Sequence, residues 1–197
     1  MKPRAIGLIV NPRSGLGAKH NLEVAHRLVQ ALDAKHIVTG PGLLGEDAVS
    51  NAHILPIAAS TGRASSQAIA LGAIQEDVEA LVVIGGDGTM ADVAFAVNQT
   101  GKRCPIMGVG AGSINAGDLI TCKADQLEEL VDVNFRVESI GALVAGCNDE
   151  VLALAFNDVV IGTTVVGTVG GDFINLDANA FFDGTQIPGE PRPVGTD

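Results

Sequence analysis

Short, uninterrupted apolar runs alternate with longer stretches of helical spacing through the first two thirds of the chain. The first run, AIGLIV at residues 5–10, stops at the turn-rich NPRSGLG. Between Lys19 and Ala34, Leu22, Ala25, Leu28, Val29 and Leu32 then recur at helical intervals, which predicts an amphipathic helix. HIVTG (36–40) predicts a short strand entering the loop GPGLLGED. HILPIAA (53–59) is ambiguous, because Pro56 points to an edge strand or a loop. STGRASSQAIALGAIQ opens on Ser-Thr cap candidates and turns helical. ALVVIGG predicts a strand, TMADVAFAVNQ a helix, CPIMGVG a strand and KADQLEELV a short helix. Strands that are apolar at every position suit a sheet covered on both faces. Their alternation with helices predicts βαβ units and a parallel sheet.

The pattern changes near Asn134. FRVESIGALVAG, EVLALAFNDVVIG and TTVVGTVGGDFINLD are strand-like runs divided by Gly and Asn-Asp. The expected organisation is an α/β domain over 1–133 and a partial β domain over 134–197. The Pro/Gly-rich end, GTQIPGEPRPVGTD, is expected to be poorly ordered. No internal repeat stands out.

Composition narrows the function classes. A chain of 197 residues with 47% apolar content can bury a sizeable core. A formal charge of −11 argues against a nucleic-acid partner, which favours a basic surface. Cys104, Cys122 and Cys147 are widely spaced and form no CxxC pair, so neither a zinc site nor a disulfide framework is expected. A reducing cytoplasm is the simplest setting. The N-terminal apolar run is too short for a signal peptide, and no run reaches the roughly 20 residues of a membrane helix.

Four polar constellations interrupt this apolar frame. In GGDGT, Asp87 stands among Gly85, Gly86, Gly88 and Thr89, where a buried strand becomes a helix. Glycines let a phosphate approach the backbone, and a helix N-terminus attracts it. A carboxylate repels phosphate. Asp87 therefore implies a metal between the anions, a general base aimed at a substrate hydroxyl, or simply a helix cap. Packing at such a position needs no charge. The second constellation, PIMGVGAGSINAGDL, again leads from a strand end into glycine-rich chain, with Gly112, Ser113 and Asn115 near an expected helix start. The third is NPRSGLG: Asn11 can bond local backbone, and Arg13 and Ser14 can reach a phosphate. The fourth is Asn157-Asp158, a polar pair in an apolar run that reads either as partnered groups or as a turn.

NPRSG, GGDGT and GSIN, in this order, resemble the superfamily of NAD kinases and diacylglycerol/sphingosine kinases. LAFNDVVIG looks like the Asn-Glu/Asp segment that opens the second domain of NAD kinases. GPGLLGEDA is similar to the archaeal-type ATP-NAD kinase-like branch that includes acetoin-catabolism protein X. The resemblance covers about residues 4–170. It implies a Rossmann-like α/β domain with flanking helices, an all-β C-terminal domain, and a site between them. It implies ATP or polyphosphate as donor, Mg²⁺ or another divalent cation, and NAD phosphorylated at its adenosine 2′-hydroxyl. Asp87 would be the base; Gly85, Gly86, Gly88 and Thr89 would cradle phosphates; Asn157 and Asp158 would hold the acceptor ribose. No metal ligand is assigned.

GSINAG departs from the Gly-Thr-Gly-Asn-Asp run of lipid kinases and matches only partly the Asn-x-Gly-x-Leu-Gly run of NAD kinases. The chain stops at Asp197, with room for part of the family's β domain. Two alternatives therefore accompany the NAD kinase reading: a catalytically silent nucleotide-binding regulatory module, and a lipid or small-molecule kinase. Strand-prone segments after Asn134 carry few charges to protect an edge, so a homo-oligomer is expected.

Overall fold

The computed structural model describes residues 2–58, 62–112, 115–131 and 133–159, together with the backbone of three short strands beyond them. The chain forms two compact units, Met1–Asn157 and Asp158–Asp197.

In the first unit, six parallel strands make one sheet: β1 (Ala5–Val10), β2 (His36–Thr39), β3 (His53–Ile54), β4 (Ala80–Gly85), β5 (Ile106–Gly110) and β6 (Ile120–Lys123). Their order is β3-β2-β1-β4-β5-β6, the doubly wound Rossmann order. Helices α1 (Ala18–Leu32), α2 (Arg63–Gln75) and α3 (Asp87–Thr100) flank it. Both faces are covered, which explains the uninterrupted apolar strands. Leu8, Val10, Val82 and Ile84 pack with Val24 and Leu28 of α1. The alternate residues Ile9, Leu81 and Val83 pack with Ile69, Met90 and Val93 of α2 and α3.

Pro56 has the effect expected of it. Strand β3 is two residues long, lies at the sheet edge, and ends before the proline. In place of the helix expected over 123–131, β6 ends at Lys123 and a single 3₁₀ turn follows at Leu127–Leu130. A 3₁₀ turn eclipses residues three apart. That geometry brings Leu127 and Leu130 onto one buried face against the α1 side of the core. Residues 136–142 form no strand and are exposed. The strand expected there begins only at β7 (Leu143–Cys147), which pairs antiparallel with β8 (Glu150–Ala155). Asn148 and Asp149 join the two strands, both at positive φ, as a two-residue hairpin turn with right-handed twist requires. Strand β8 packs on α3.

The second unit contains β9 (Thr164–Val169), β10 (Asp172–Asp177) and β11 (Pro188–Gly189), an antiparallel sheet in the order β11-β10-β9. The rest of the Pro/Gly-rich end, 184–187 and 190–197, lies outside the described residues. All three thiols are free, and burial, with Glu129 nearby, pushes Cys122 up to about 11. Among the described residues no helix is long and apolar enough to cross a membrane.

Candidate active site

Strand order reverses between β1 and β4, and in open α/β sheets ligands bind beyond the carboxyl ends of the strands at that reversal. Three of the four constellations lie there, and direct contacts join them. Beyond β1, the Asn11 amide donates to Thr89 Oγ1 at 2.8 Å, crossing the reversal. Asn11 Oδ1 accepts the Arg13 N–H at 3.0 Å, and Ser14 Oγ donates to the Asn11 carbonyl. Thr89 is buried by this contact, so its hydroxyl serves the loop beyond β1. The side chain of Arg13 is on the exposed surface.

Asn21 was not singled out in the sequence, yet it holds this loop. It is fully buried and its amide donates to the Asn11 carbonyl at 2.8 Å and to the Ser14 carbonyl at 2.9 Å. Its signal was available. A polar residue on the otherwise apolar face of α1, beside Val24, Ala25 and Leu28, must find partners.

Asp87 is not a cap. Gly86 precedes α3, and Asp87 is the first helical residue, with its carboxylate turned to the loop beyond β5. Oδ2 accepts the Ala116 N–H and Oδ1 the Gly117 N–H, both at 3.1 Å. The expectation that packing needs no charge at this position is therefore corrected: an acceptor-only group satisfies two backbone donors of the loop. No helix starts in the described part of the loop. Instead Asn115 bonds both backbone groups of Gly112 at 2.9 Å, closing a local turn that competes with helix.

Close backbone approach fixes the remaining shape. A Cβ on Gly112 would lie 2.7 Å from Gly86 Cα, so the loops beyond β4 and β5 touch main chain to main chain. Gly85 is buried, and a Cβ there would meet the Thr89 side chain at 2.7 Å. Its smallness serves internal packing. Gly88 is exposed and has open space where a Cβ would go. Ser113 lies outside the described residues. Asn157 and Asp158 are both exposed. Phe156, next to Asn157, reaches the same loop: a Cβ on Gly117 would be 3.6 Å from Phe156 Cβ.

Neither α1 nor α3 has a side chain capping its N-terminus. First-turn N–H groups left without a side-chain acceptor suit an anion, and α1 has no acidic residue in its first turn to oppose one. A divalent cation is a different matter. Among the described residues no group of three or more His, Cys, Asp or Glu could hold a metal, and the Asp87 oxygens already face two N–H groups. These residues do not build a protein cage for such an ion.

The doubly wound parallel sheet, with glycine-rich loops meeting at its strand-order reversal, defines a Rossmann-like α/β domain. Residues 6–132 match the ATP-NAD kinase N-terminal domain, and the chain belongs to that family. It is 30% identical over 190 residues, 95% of its length, to a protein of Archaeoglobus fulgidus described as uncharacterized. It is 31% identical over 117 residues, 55% of its length, to an NAD kinase of Thiobacillus denitrificans. A 52-residue match at 40% identity, 26% of the chain and 17% of the relative, links it to an NAD kinase of Gemmatimonas aurantiaca. The chain spans 58% of the length of the first of these relatives and 37% of the second. No solved structure matches it.

Proposed function

We propose that this chain transfers a phosphoryl group from ATP, or polyphosphate, to the 2′-hydroxyl of NAD, with Asp87 as general base. The supporting observation is a carboxylate held by Ala116 and Gly117 at the start of a helix that lacks a side-chain cap. Each Asp87 oxygen accepts one N–H and keeps a further lone pair. In this reading the hydroxyl proton passes to that lone pair and the freed oxygen bonds the γ-phosphorus. The bond to the bridging oxygen breaks, and ADP leaves with its electron pair. First-turn N–H groups of α1 and α3, with Arg13 and Ser14, hold the polyphosphate, and Asn157 and Asp158 hold the acceptor ribose. A divalent cation that accompanies the nucleotide would neutralise phosphate charge. A cytoplasmic setting fits the three free thiols.

The direct test is NADP formation from NAD, ATP and Mg²⁺ by the purified protein, with inorganic polyphosphate as a second donor. Nucleotide binding without turnover would favour the silent-module reading. Turnover of a lipid or another hydroxyl acceptor in place of NAD would favour the third.

Gly88→Ala separates binding from folding. Beyond its own helix backbone and chain neighbours, the added methyl meets no atom within 4 Å, and alanine is the better helix former. The variant is expected to melt no lower than the parent. Its ATP affinity is expected to fall about tenfold or more, because one methyl now fills space a phosphate would use. Unchanged affinity by calorimetry removes Gly88 from the phosphate site.

We also propose self-association through the β7–β8 hairpin. Leu143, Val144, Val151 and Leu152 are exposed, and among the described residues β7 and β8 pair only with each other. Light scattering across a dilution series is expected to give a dimer or larger species. A monomer at micromolar concentration refutes this.

A further inference from the structure

Arg63, the first residue of α2, makes three contacts with neighbouring elements. Its Nε pairs with Asp92 Oδ1 of α3 at 3.1 Å. Its guanidinium lies over the Phe95 ring, 5.5 Å from the centroid. Its Nη2 donates to the Leu152 carbonyl of β8 at 3.3 Å. Two residues of one helix and the backbone of a hairpin thus converge on one planar, five-donor group.

Exposed ion pairs contribute little to stability. Asp92, however, is only 26% exposed, and burial pushes its carboxyl up with Arg63 offsetting that in part. An ion pair that costs free energy to desolvate is better explained by the placement it enforces than by the stability it adds.

The placement leads to the candidate site. Leu152 and Phe156 are four residues apart on the same strand and its end, about 13 Å at the rise of an extended chain. At one point β8 is held by Arg63; at the other, Phe156 abuts Gly117, whose N–H binds Asp87. Asn157 follows immediately.

We propose that Arg63 and Asp92 are positioning residues: they latch the β7–β8 hairpin to α3, and so set Phe156 and Asn157 against the Asp87 loop for an acceptor nucleoside. The choice of acceptor rests on the NAD kinase reading; the latch itself does not. Neither residue touches reacting atoms.

The test uses the full chain with Arg63→Met, which keeps much of the stem but removes every donor, and Arg63→Lys, which keeps the charge but not the fork. Hydrogen exchange of the β7 and β8 amides is expected to quicken about tenfold or more in Arg63→Met, while β1 and β4 exchange as in the parent. NAD affinity by calorimetry is expected to weaken about 5- to 20-fold with ATP affinity retained, a coupling of ordinary size. Arg63→Lys is expected to lie between the two, and Asp92→Asn to add little on top of Arg63→Met. Unchanged hairpin exchange overturns the latch, whatever the protein's activity. Faster exchange with unchanged NAD affinity overturns the positioning role. Exchange that rises equally in β1 and β4 marks a general stability effect and also overturns it. If the parent forms no NADP, the kinase reading fails while the exchange measurements still decide the latch.

Discussion

Asp87→Asn is expected to lower NADP formation by about 10²–10⁴, the usual contribution of a general base. Asn retains one acceptor oxygen. Its amide group would then face a second N–H, so one of the two loop bonds to Ala116 and Gly117 is lost. Losing a hydrogen bond to a charged acceptor costs about 1.5–3 kcal/mol, so a lower melting temperature accompanies the loss of rate. The two effects separate kinetically. A missing base lowers kcat and kcat/KM together, while a loosened loop raises KM with kcat nearly intact. The first pattern is expected. A variant that keeps the parent's kcat assigns Asp87 to holding the loop and places the base elsewhere.

Gly15→Ala is expected to produce the largest loss of stability from a single methyl. Gly15 has φ +54°, and a Cβ there would overlap the Ala111 carbonyl oxygen. Positive φ alone costs a non-glycine residue about 1–3 kcal/mol. The overlap cannot be relieved by a side-chain rotation, because the obstacle is backbone. Ala111 is itself anchored, its N–H donating to the Gly85 carbonyl at 2.9 Å. The loops beyond β1 and β5 must therefore part. Gly101→Ala is the control, with φ +66° but open space around the added carbon. Each kcal/mol lowers Tm by about 2–4 °C in a chain of this size, so Gly15→Ala should melt clearly below Gly101→Ala. Equal melting temperatures would mean that the contact with Ala111 contributes nothing.

Much of the fold was legible in the sequence because burial on both faces leaves a periodic record. AIGLIV and ALVVIGG are apolar throughout, and they became adjacent strands β1 and β4 covered by α1 on one side and by α2 and α3 on the other. Pro56 marked the sheet edge because it has no N–H to donate. Glycine clusters at strand ends suggested room for a phosphate; the structure shows close approach between the loops beyond β1, β4 and β5 there. Contacts between distant residues leave no such record. Asp87 looked like a residue free of packing duties, since its partners Ala116 and Gly117 are backbone groups about thirty positions away. The roles of Asn21 and Arg63 depend on Asn11, Ser14, Asp92 and Leu152, which the fold brings to them. Residues 123–131 had helical spacing, but they form only one tight turn, which packs Leu127 and Leu130 against the α1 side of the core. Local pattern determined most of the strands and helices of the parallel sheet and its flanking layers. Tertiary packing decided which polar groups are partnered, because a hydrogen bond needs a donor and an acceptor in one place and the chain order does not say which two will meet.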